Sequence, residues 1–393
     1  MPAPPIADSS YGIEYTQGPF LGSNRAVGLG GAGTAISEGA EGIASNPAAT
    51  AVRSFTSTSW FDWSVTAGLS FPGAYGKTDF ENRGALGRTD GSQTYSDFLH
   101  VGLGFSLTFG DFGIGATYDV NSTEVFSPTA SERGLDLDLT TVRVPISYAI
   151  HDGQIVFGGG LRLVDFALAE TTETDIIGDV LYATAAGFEG GVVVKPHESR
   201  WRTSFTFRSA ASASMKGPGV PDFVPPSRFV APVELEAGIA YQLGPRPLNP
   251  RFIDAGAAKQ PSLAEERRLE RRAKVLLVAS LIAFGPTSNN VAISGFLDQT
   301  KQVVGESMTF SPRAGVEIEP VPRRLMVQLG SYAEPSRYRD VGARYHATLG
   351  GRLRLFEWSI FGLRPHTSFT LTSSADISTR DYFDWGLSFG FWE

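Results

Sequence analysis

The chain has 393 residues, 42% of them apolar, with 45 glycines, 27 phenylalanines, no cysteine and a formal net charge of −8. That balance excludes a disulfide framework or a thiolate metal site, and it argues against a nucleic-acid partner, which needs a basic surface. The longest apolar run, 275–284, falls well short of the roughly 18 residues of a membrane helix.

Residues 1–50 are rich in Gly and Ala and show no sustained two-residue period. Met1-Pro2-Ala3-Pro4-Pro5 has neither the basic start nor the apolar stretch of a secretory signal, so the chain reads as a mature polypeptide with an added Met. Gly28, Gly30 and Gly33 form a literal G-x-G-x-x-G, with Gly31 inside it. No strand precedes it and no βαβ unit contains it, which removes dinucleotide binding. The glycines instead suit a backbone packed tightly inside something narrow. Pro47 confines Asn46 to extended or turn geometry and sets a sharp corner before the first strand.

From about Phe55 onward, apolar and small or polar residues alternate. Val101, Leu103, Phe105, Leu107 and Phe109 alternate with Gly102, Gly104, Ser106 and Thr108, and the same pattern returns after Gly110-Asp111. Such alternation puts one class of residue on each face of a strand. Fourteen strands are predicted, at 55–71, 98–109, 111–126, 135–150, 153–166, 180–195, 200–214, 227–243, 273–285, 306–319, 323–332, 342–355, 358–372 and 381–393. Their connections are alternately short and long, as in bacterial outer-membrane barrels with short periplasmic turns and long outside loops. The predicted fold is therefore all-β, a transmembrane antiparallel up-and-down β-barrel of about 14 strands (51–393), with the N-terminal segment (1–50) as a plug in its lumen. The apolar faces then meet lipid and the polar faces enclose water.

One connection, 244–272, is long on the short-turn side. Ser262-Leu263-Ala264-Glu265 reads as a capping box ahead of a charged helix, so 262–274 is a candidate docking site for a periplasmic protein. Residues 291–297 are assigned to an outside loop, with a fifteenth strand as the alternative. Arg202, Arg208, Glu234, Glu236, Arg313, Glu317, Arg344, Arg352, Arg354 and Arg364 fall on polar faces. Buried charges need partners, so these residues are expected to form ion pairs that hold the plug; an anion-attracting ring on a solute path is the alternative. The histidines His100, His151, His197, His346 and His366 lack metal-ligand spacing, and neither a cofactor nor an enzymatic centre is expected.

Phe383, Trp385, Leu387, Phe389 and Phe391 alternate with Asp384, Gly386, Ser388 and Gly390 at the carboxy terminus. Asp384, Gly386, Phe389 and Phe391 resemble, position by position, the terminal signal read by the barrel assembly machinery. The N-terminal run Arg25, Gly28, Gly30, Gly31, Ala32, Gly33 and Ala35, followed by Asn46-Pro47-Ala48, resembles the hatch of the FadL-type outer-membrane long-chain fatty-acid transporters. That resemblance implies a hatch-bearing barrel in the bacterial outer membrane that passively transports hydrophobic small molecules or lipids. Capture would fall to Phe80, Phe223, Val224 and Phe296, an inner pocket to Tyr11, Ile13, Tyr15 and Phe20, and gating to the hatch. A kink in the third strand, where Gly113 and Gly115 lie, would open a lateral exit; the other reading is that these glycines make room for the hatch. Related hatch-bearing barrels act as shuttles or anchors, so a structural barrel that docks a protein complex is the alternative function.

Overall fold

In the computed structural model the described residues are 3–392, less 17–18, 20–21, 54–56, 58, 74–78, 85–93, 127–133, 172–175, 245–246, 253–274, 322–323 and 361–363. The strands in chain order begin with β1 (Gly12–Glu14), β2 (Phe61–Ser70), β3 (Thr94–Phe109), β4 (Phe112–Phe126), β5 (Gly134–Ile150) and β6 (Ile155–Thr171). There follow β7 (Ile176–Val194), β8 (Trp201–Arg208), β9 (Ala211–Ser214), β10 (Arg228–Ala231), β11 (Glu234–Leu243), β12 (Val275–Phe284) and β13 (Asn290–Val291). The last are β14 (Val303–Val304), β15 (Thr309–Val321), β16 (Leu325–Glu334), β17 (Arg344–Ile360), β18 (Arg364–Ser378) and β19 (Phe383–Trp392). The alternating segments β2 to β8, β11, β12 and β15 to β19 close into one 14-stranded antiparallel barrel. Its seam joins the first and last wall strands, from Gly386↔Ser70 to Trp392↔Ser64. Closure gives each wall strand a paired neighbour on both sides, as a sheet in lipid requires.

All fourteen predicted wall strands are present, with shifts at several boundaries. The first strand starts at Phe61 rather than 55. The predicted strands 200–214 and 227–243 each break: β8 stops at Arg208, β11 starts at Glu234, and β9 pairs with β10 inside. Ala210-Ala211-Ser212-Ala213 has no large apolar row to offer lipid, so the chain leaves the wall there. The turn expected at 356–357 moves on, because β17 runs to Ile360 and β18 starts at Arg364. Asn290 and Val291 pair with β1 rather than with a wall strand, so the wall gains no fifteenth member.

Large apolar side chains stand exposed around the outer wall, among them Leu103 at 49%, Ile146 at 53%, Leu161 at 66%, Phe188 at 57%, Leu281 at 47% and Leu349 at 52%. A belt of that extent does not face water in a monomer; it matches the lipid-facing band of a membrane barrel. The residues between them point inward and are buried and polar, including Ser64, Ser106, Thr206, Arg162, Arg208, Glu317 and Gln328.

The wall is uneven in height. Strands β4 to β7 have 15 to 19 residues, whereas β8, β11 and β12 have 8 to 10. At about 3.4 Å per residue the tall side stands some 20 Å or more above the low side. On its upper part the chemistry of the two faces reverses. In β5, Val144 and Ile146 point out and Arg143 in, but Leu135, Leu137 and Leu139 point in, with Asp136 and Asp138 on the outer face. In β6, Leu161 and Leu163 point out, and beyond them Val164, Phe166 and Leu168 point in. The same strands therefore face lipid outside over one half of their length and enclose an apolar interior over the other.

Candidate functional site

The lumen is filled by the segment that precedes the wall. Its helices Asn24–Gly28 and Gly39–Gly42 and its 3-10 turns Thr34–Ile36 and Pro47–Ala51 are short and almost wholly buried. The Ser23 hydroxyl caps the first helix by accepting from the Ala26 amide. At the corner before Pro47, Asn46 is extended (φ −154°, ψ 124°) and its side chain accepts from the Ala48 amide at 2.9 Å. The Asn46 amide also donates to the Val192 and Phe205 carbonyls of the wall, each at 3.4 Å.

Three buried ion pairs tie this segment to separate parts of the wall. Arg25 binds Glu317 of β15 through two bonds of 2.8 and 2.9 Å. Glu38 accepts from Arg202 of β8 at 2.9 Å, and Glu41 pairs with Arg352 of β17. Arg208 adds a bond to the Ala44 carbonyl at 2.6 Å. Backbone contact is equally close. Gly30 has φ +64°, and a Cβ there would lie 2.7 Å from Ser331 backbone atoms; only glycine meets both demands. Gly28 packs on Gly350, Gly31 has φ +74°, and Gly33 lies against Ala26 and Ser45.

Above this segment the lumen holds two adjoining cavities. The one towards the long loops has about 770 Å³ of empty space and is mostly apolar, with Tyr15, Phe80, Phe98, Leu137, Leu139, Phe284 and Ile293 in its lining. Strand β1 runs parallel between β10 and β13, in a small inner sheet at this end. The carboxylate of Glu14, at the end of β1, accepts from Arg337 at 2.7 Å. Beneath lies a polar chamber of about 860 Å³. Tyr15, Asn121 and Phe284 line both cavities and so form the partition between them. The Asn121 amide donates to the Tyr15 hydroxyl at 3.3 Å, and the His100 ring lies 2.7 Å from the Asn121 carbonyl oxygen. Burial pushes the Tyr15 phenol well above its ordinary value, so it stays neutral.

The charges of the polar chamber are paired. Arg143 meets Asp119 at 2.6 Å; Arg162 and Arg208 meet Glu234 at 3.1 and 3.2 Å. Glu189 sits behind Arg143 and Arg208 at 3.8 and 3.6 Å. With Arg313 and Glu236 the lining holds four guanidiniums and three carboxylates, and Glu189 stands behind it.

No family model matches the sequence, and none of the curated proteins matches it. Solved structures do. A FadL homologue of Pseudomonas aeruginosa aligns over 94% of this chain and 97% of its own, at 13% identity and a TM-score of 0.54. The toluene transporter TbuX of Ralstonia pickettii aligns over 95% and 97%, at 10% identity and 0.53. The monoaromatic hydrocarbon channel CymD aligns over 96% and 97%, at 8% identity and 0.57. The chain has the FadL-type fold. At these identities the likeness is one of architecture, with the side chains almost wholly different.

Within this FadL-type barrel the residues singled out in the sequence take these places. Tyr15 and Phe80 line the apolar cavity. Tyr11 and Ile13, at 1% and 0% exposure, and Phe296 at 1% belong to the packed apolar cluster beside it. Phe223 packs against that cluster, edge-on to Phe296 with centroids 5.6 Å apart, and the Val224 carbonyl accepts from the Tyr11 hydroxyl at 2.6 Å. Phe20, the candidate helix at 262–274 and the side chains of Arg364 and His366 lie outside the described residues. At the closing seam Asp384 points inward at 0% exposure, Phe389 outward at 40%, and Gly386 lies against Asn24; Phe391 is half-buried opposite Val65.

In the third wall strand, β4, a Cβ on Gly113 would lie 2.3 Å from the Thr50 backbone. The register with β5 is the same on both sides of Gly115, from Ile114↔Ile146 to Thr117↔Arg143. These glycines make room for the inner segment; the β4–β5 pairing lapses at Gly115 and Ala116, opposite Pro145 and Val144, and resumes in the same register. The inward leucines of β5 and the divided lumen were not read from the sequence. The available signal was the phase change at Thr140-Thr141, where the apolar residues move from odd to even positions.

Proposed function

We propose that this chain is a passive transporter of hydrophobic small molecules in the bacterial outer membrane, gated by its N-terminal segment. The carrying observation is the apolar cavity near the long-loop end, enclosed by strands whose inner face turns apolar above the lipid belt and floored by a segment ion-paired to the wall. The transporters and channels that share the fold support the same reading. Burial of apolar area, about 0.8 kcal/mol per methylene, is enough to draw an alkyl or aromatic solute from the outer loops into this cavity. Passage onward requires the inner segment to move. The wall then supplies anchorage in lipid, and the β19 row Asp384, Gly386, Phe389 and Phe391 the signal for assembly. Long-chain fatty acids are one candidate cargo.

The test uses the absence of native cysteine. The hydroxyl oxygens of Thr34, in the inner segment, and Thr206 of β8 are 3.2 Å apart. Thr34→Cys with Thr206→Cys should lock the segment under oxidising conditions. Proteoliposomes carrying the oxidised variant should take up labelled toluene or labelled fatty acid no faster than protein-free vesicles, and reductant should restore uptake. Equal uptake by locked and reduced protein would refute gating. No uptake by the native protein would refute transport of these solutes.

A further inference from the structure

The connection from β11 to β12 leaves the wall at the short-turn end, and its first part dips inward. Connections ordinarily run over the surface, as His151 and Asp152 do between β5 and β6, where both are exposed. Leu248, by contrast, is 2% exposed and Asn249 3%. By Arg251 the chain is back in water, its pair with Asp152 exposed on both sides. Leu248 sits in a buried apolar cluster with Leu29, Ala35 and Ile36 of the inner segment and Leu276 and Val278 of the wall.

Asn249 uses both ends of its side chain. The amide donates to the Trp201 carbonyl at 2.7 Å and to the Ser199 hydroxyl at 2.8 Å, and the carbonyl oxygen accepts from Arg202 Nε at 2.9 Å. In the backbone, the Leu248 N–H donates to the Ser199 carbonyl and the Glu198 N–H to the Asn249 carbonyl, each at 2.8 Å. These bonds fasten the dip to the β7–β8 turn and the start of β8, and so to the wall. The same Arg202 guanidinium donates from Nη1 to Glu38 of the inner segment at 2.9 Å. The connection is thus fixed to the wall and holds the inner segment in two ways, directly by the Leu248 side chain and through Arg202. Losing Asn249 would leave the buried Trp201 carbonyl and Arg202 Nε each short of a partner, which costs their desolvation.

We propose that Leu248 and Asn249 form a latch that holds the inner segment shut from the short-turn end, and so set how readily solute is released there. This rests on gating by the inner segment and adds what keeps the gate closed. When the segment moves, Leu29 and Ile36 leave Leu248, and Glu38 leaves Arg202, while the bonds to Ser199 and Trp201 stay with the wall. Contacts made only in the closed form bias a closed–open equilibrium, and removing them shifts it toward open. Neither latch residue lines the two cavities, so its effect on uptake reports on the gate and not on solute binding.

Leu248→Ala and Asn249→Ala are made in the full-length protein, with Leu248→Met as the conservative control. Hydrogen exchange is followed by mass spectrometry, and uptake of labelled toluene is measured in proteoliposomes. Both alanine variants should speed exchange over residues 29–38 at least tenfold, leave 47–52 at the native rate and raise uptake at least threefold; Leu248→Met should match the native protein. Heat-dependent gel migration checks that the barrel has formed, and if one alanine variant fails to fold the other decides. Unchanged exchange over 29–38 overturns the latch. Equal acceleration over 29–38 and 47–52 also overturns it, because the connection then supports the whole fold. Faster exchange over 29–38 with native uptake overturns it as a control on release. The oxidised protein carrying Thr34→Cys with Thr206→Cys is run in the same vesicles. If it too passes toluene, gating itself has failed and the latch with it; if it blocks toluene, only the latch has failed.

Discussion

Arg25 of the inner segment and Glu317 of the wall meet in a two-bond pair at 2.8 and 2.9 Å, their side chains only 5% and 8% exposed. Glu317 also accepts from Gln328 at 3.1 Å, so the carboxylate is held in place from the wall side. Glu317→Ala would strand a buried guanidinium, a change that costs about 3–5 kcal/mol. Hydrogen exchange should then accelerate by roughly two to four orders of magnitude over residues 23–52 alone. A uniform increase around the whole wall would show that the pair supports the barrel rather than docking of the inner segment.

Close backbone contact gives a sharper steric prediction. Gly113→Val would drive a side chain into the Thr50 backbone, which a Cβ alone already approaches to 2.3 Å. The inner segment should fail to seat, and trypsin should then cut after Arg25, which is buried in the native fold. Protease resistance equal to that of the native protein would contradict the contact.

These two contacts differ in how readable they were. Asn46-Pro47 and the glycines of 28–33 announced a tightly packed segment, because glycine and proline constrain a backbone locally whatever surrounds it. The ion pairs were foreseen as a class, since charges on strand faces turned away from lipid must find partners. The partners themselves, such as Glu317 for Arg25, lie 292 residues apart in sequence, and no local pattern specifies them. Alternation located the wall strands for the same local reason. It failed at β8 and β9, where small residues satisfy strand and inner sheet equally.

The reversal of face chemistry along the tall strands makes a prediction about position. Leu161 and Ala167 both lie on the outer face of β6, Leu161 in the lipid belt and Ala167 beyond it, paired with Asp138. Leu161→Arg should destabilise the folded barrel by about 2–4 kcal/mol, and Ala167→Arg by no more than about 1 kcal/mol. Urea titration of the barrel in lipid vesicles measures both. Equal penalties would place the lipid boundary elsewhere.

The inner face of the same strands bears on transport. Leu137→Lys puts an ammonium into the apolar cavity that Leu137 lines. Uptake of toluene by proteoliposomes should fall at least tenfold while the barrel still forms, because the added side chain points into the lumen rather than into the lipid-facing wall. Unchanged uptake would mean that solutes bypass this cavity.

Lys195, in the turn between β7 and β8, gives a pH signature. Burial, reinforced by the Arg202 charge, pushes its amine down to about 8. A lysine free in water titrates near 10.4, as it would in the unfolded chain. The folded form thus binds fewer protons than the unfolded form between about pH 8 and 10.4, and this group's contribution favours folding increasingly as pH rises through that window. Acetylation of Lys195, followed by mass spectrometry of the folded protein, should level off just above pH 8. A rate still climbing towards pH 10 would show an ordinary amine.

Strand β1 also bears on how the molecule is made. It lies at the long-loop end with a hydrogen-bonded neighbour on each side, while the described residues between it and the first wall strand fill the lumen below. A finished ring would have to be threaded from one end to reach this arrangement. Assembly is simpler if the sheet is still an open trough when the leader beds down in it, and the seam between Ser70 and Gly386 zips around the leader last. The leader would then act as the mandrel on which the hoop is bent.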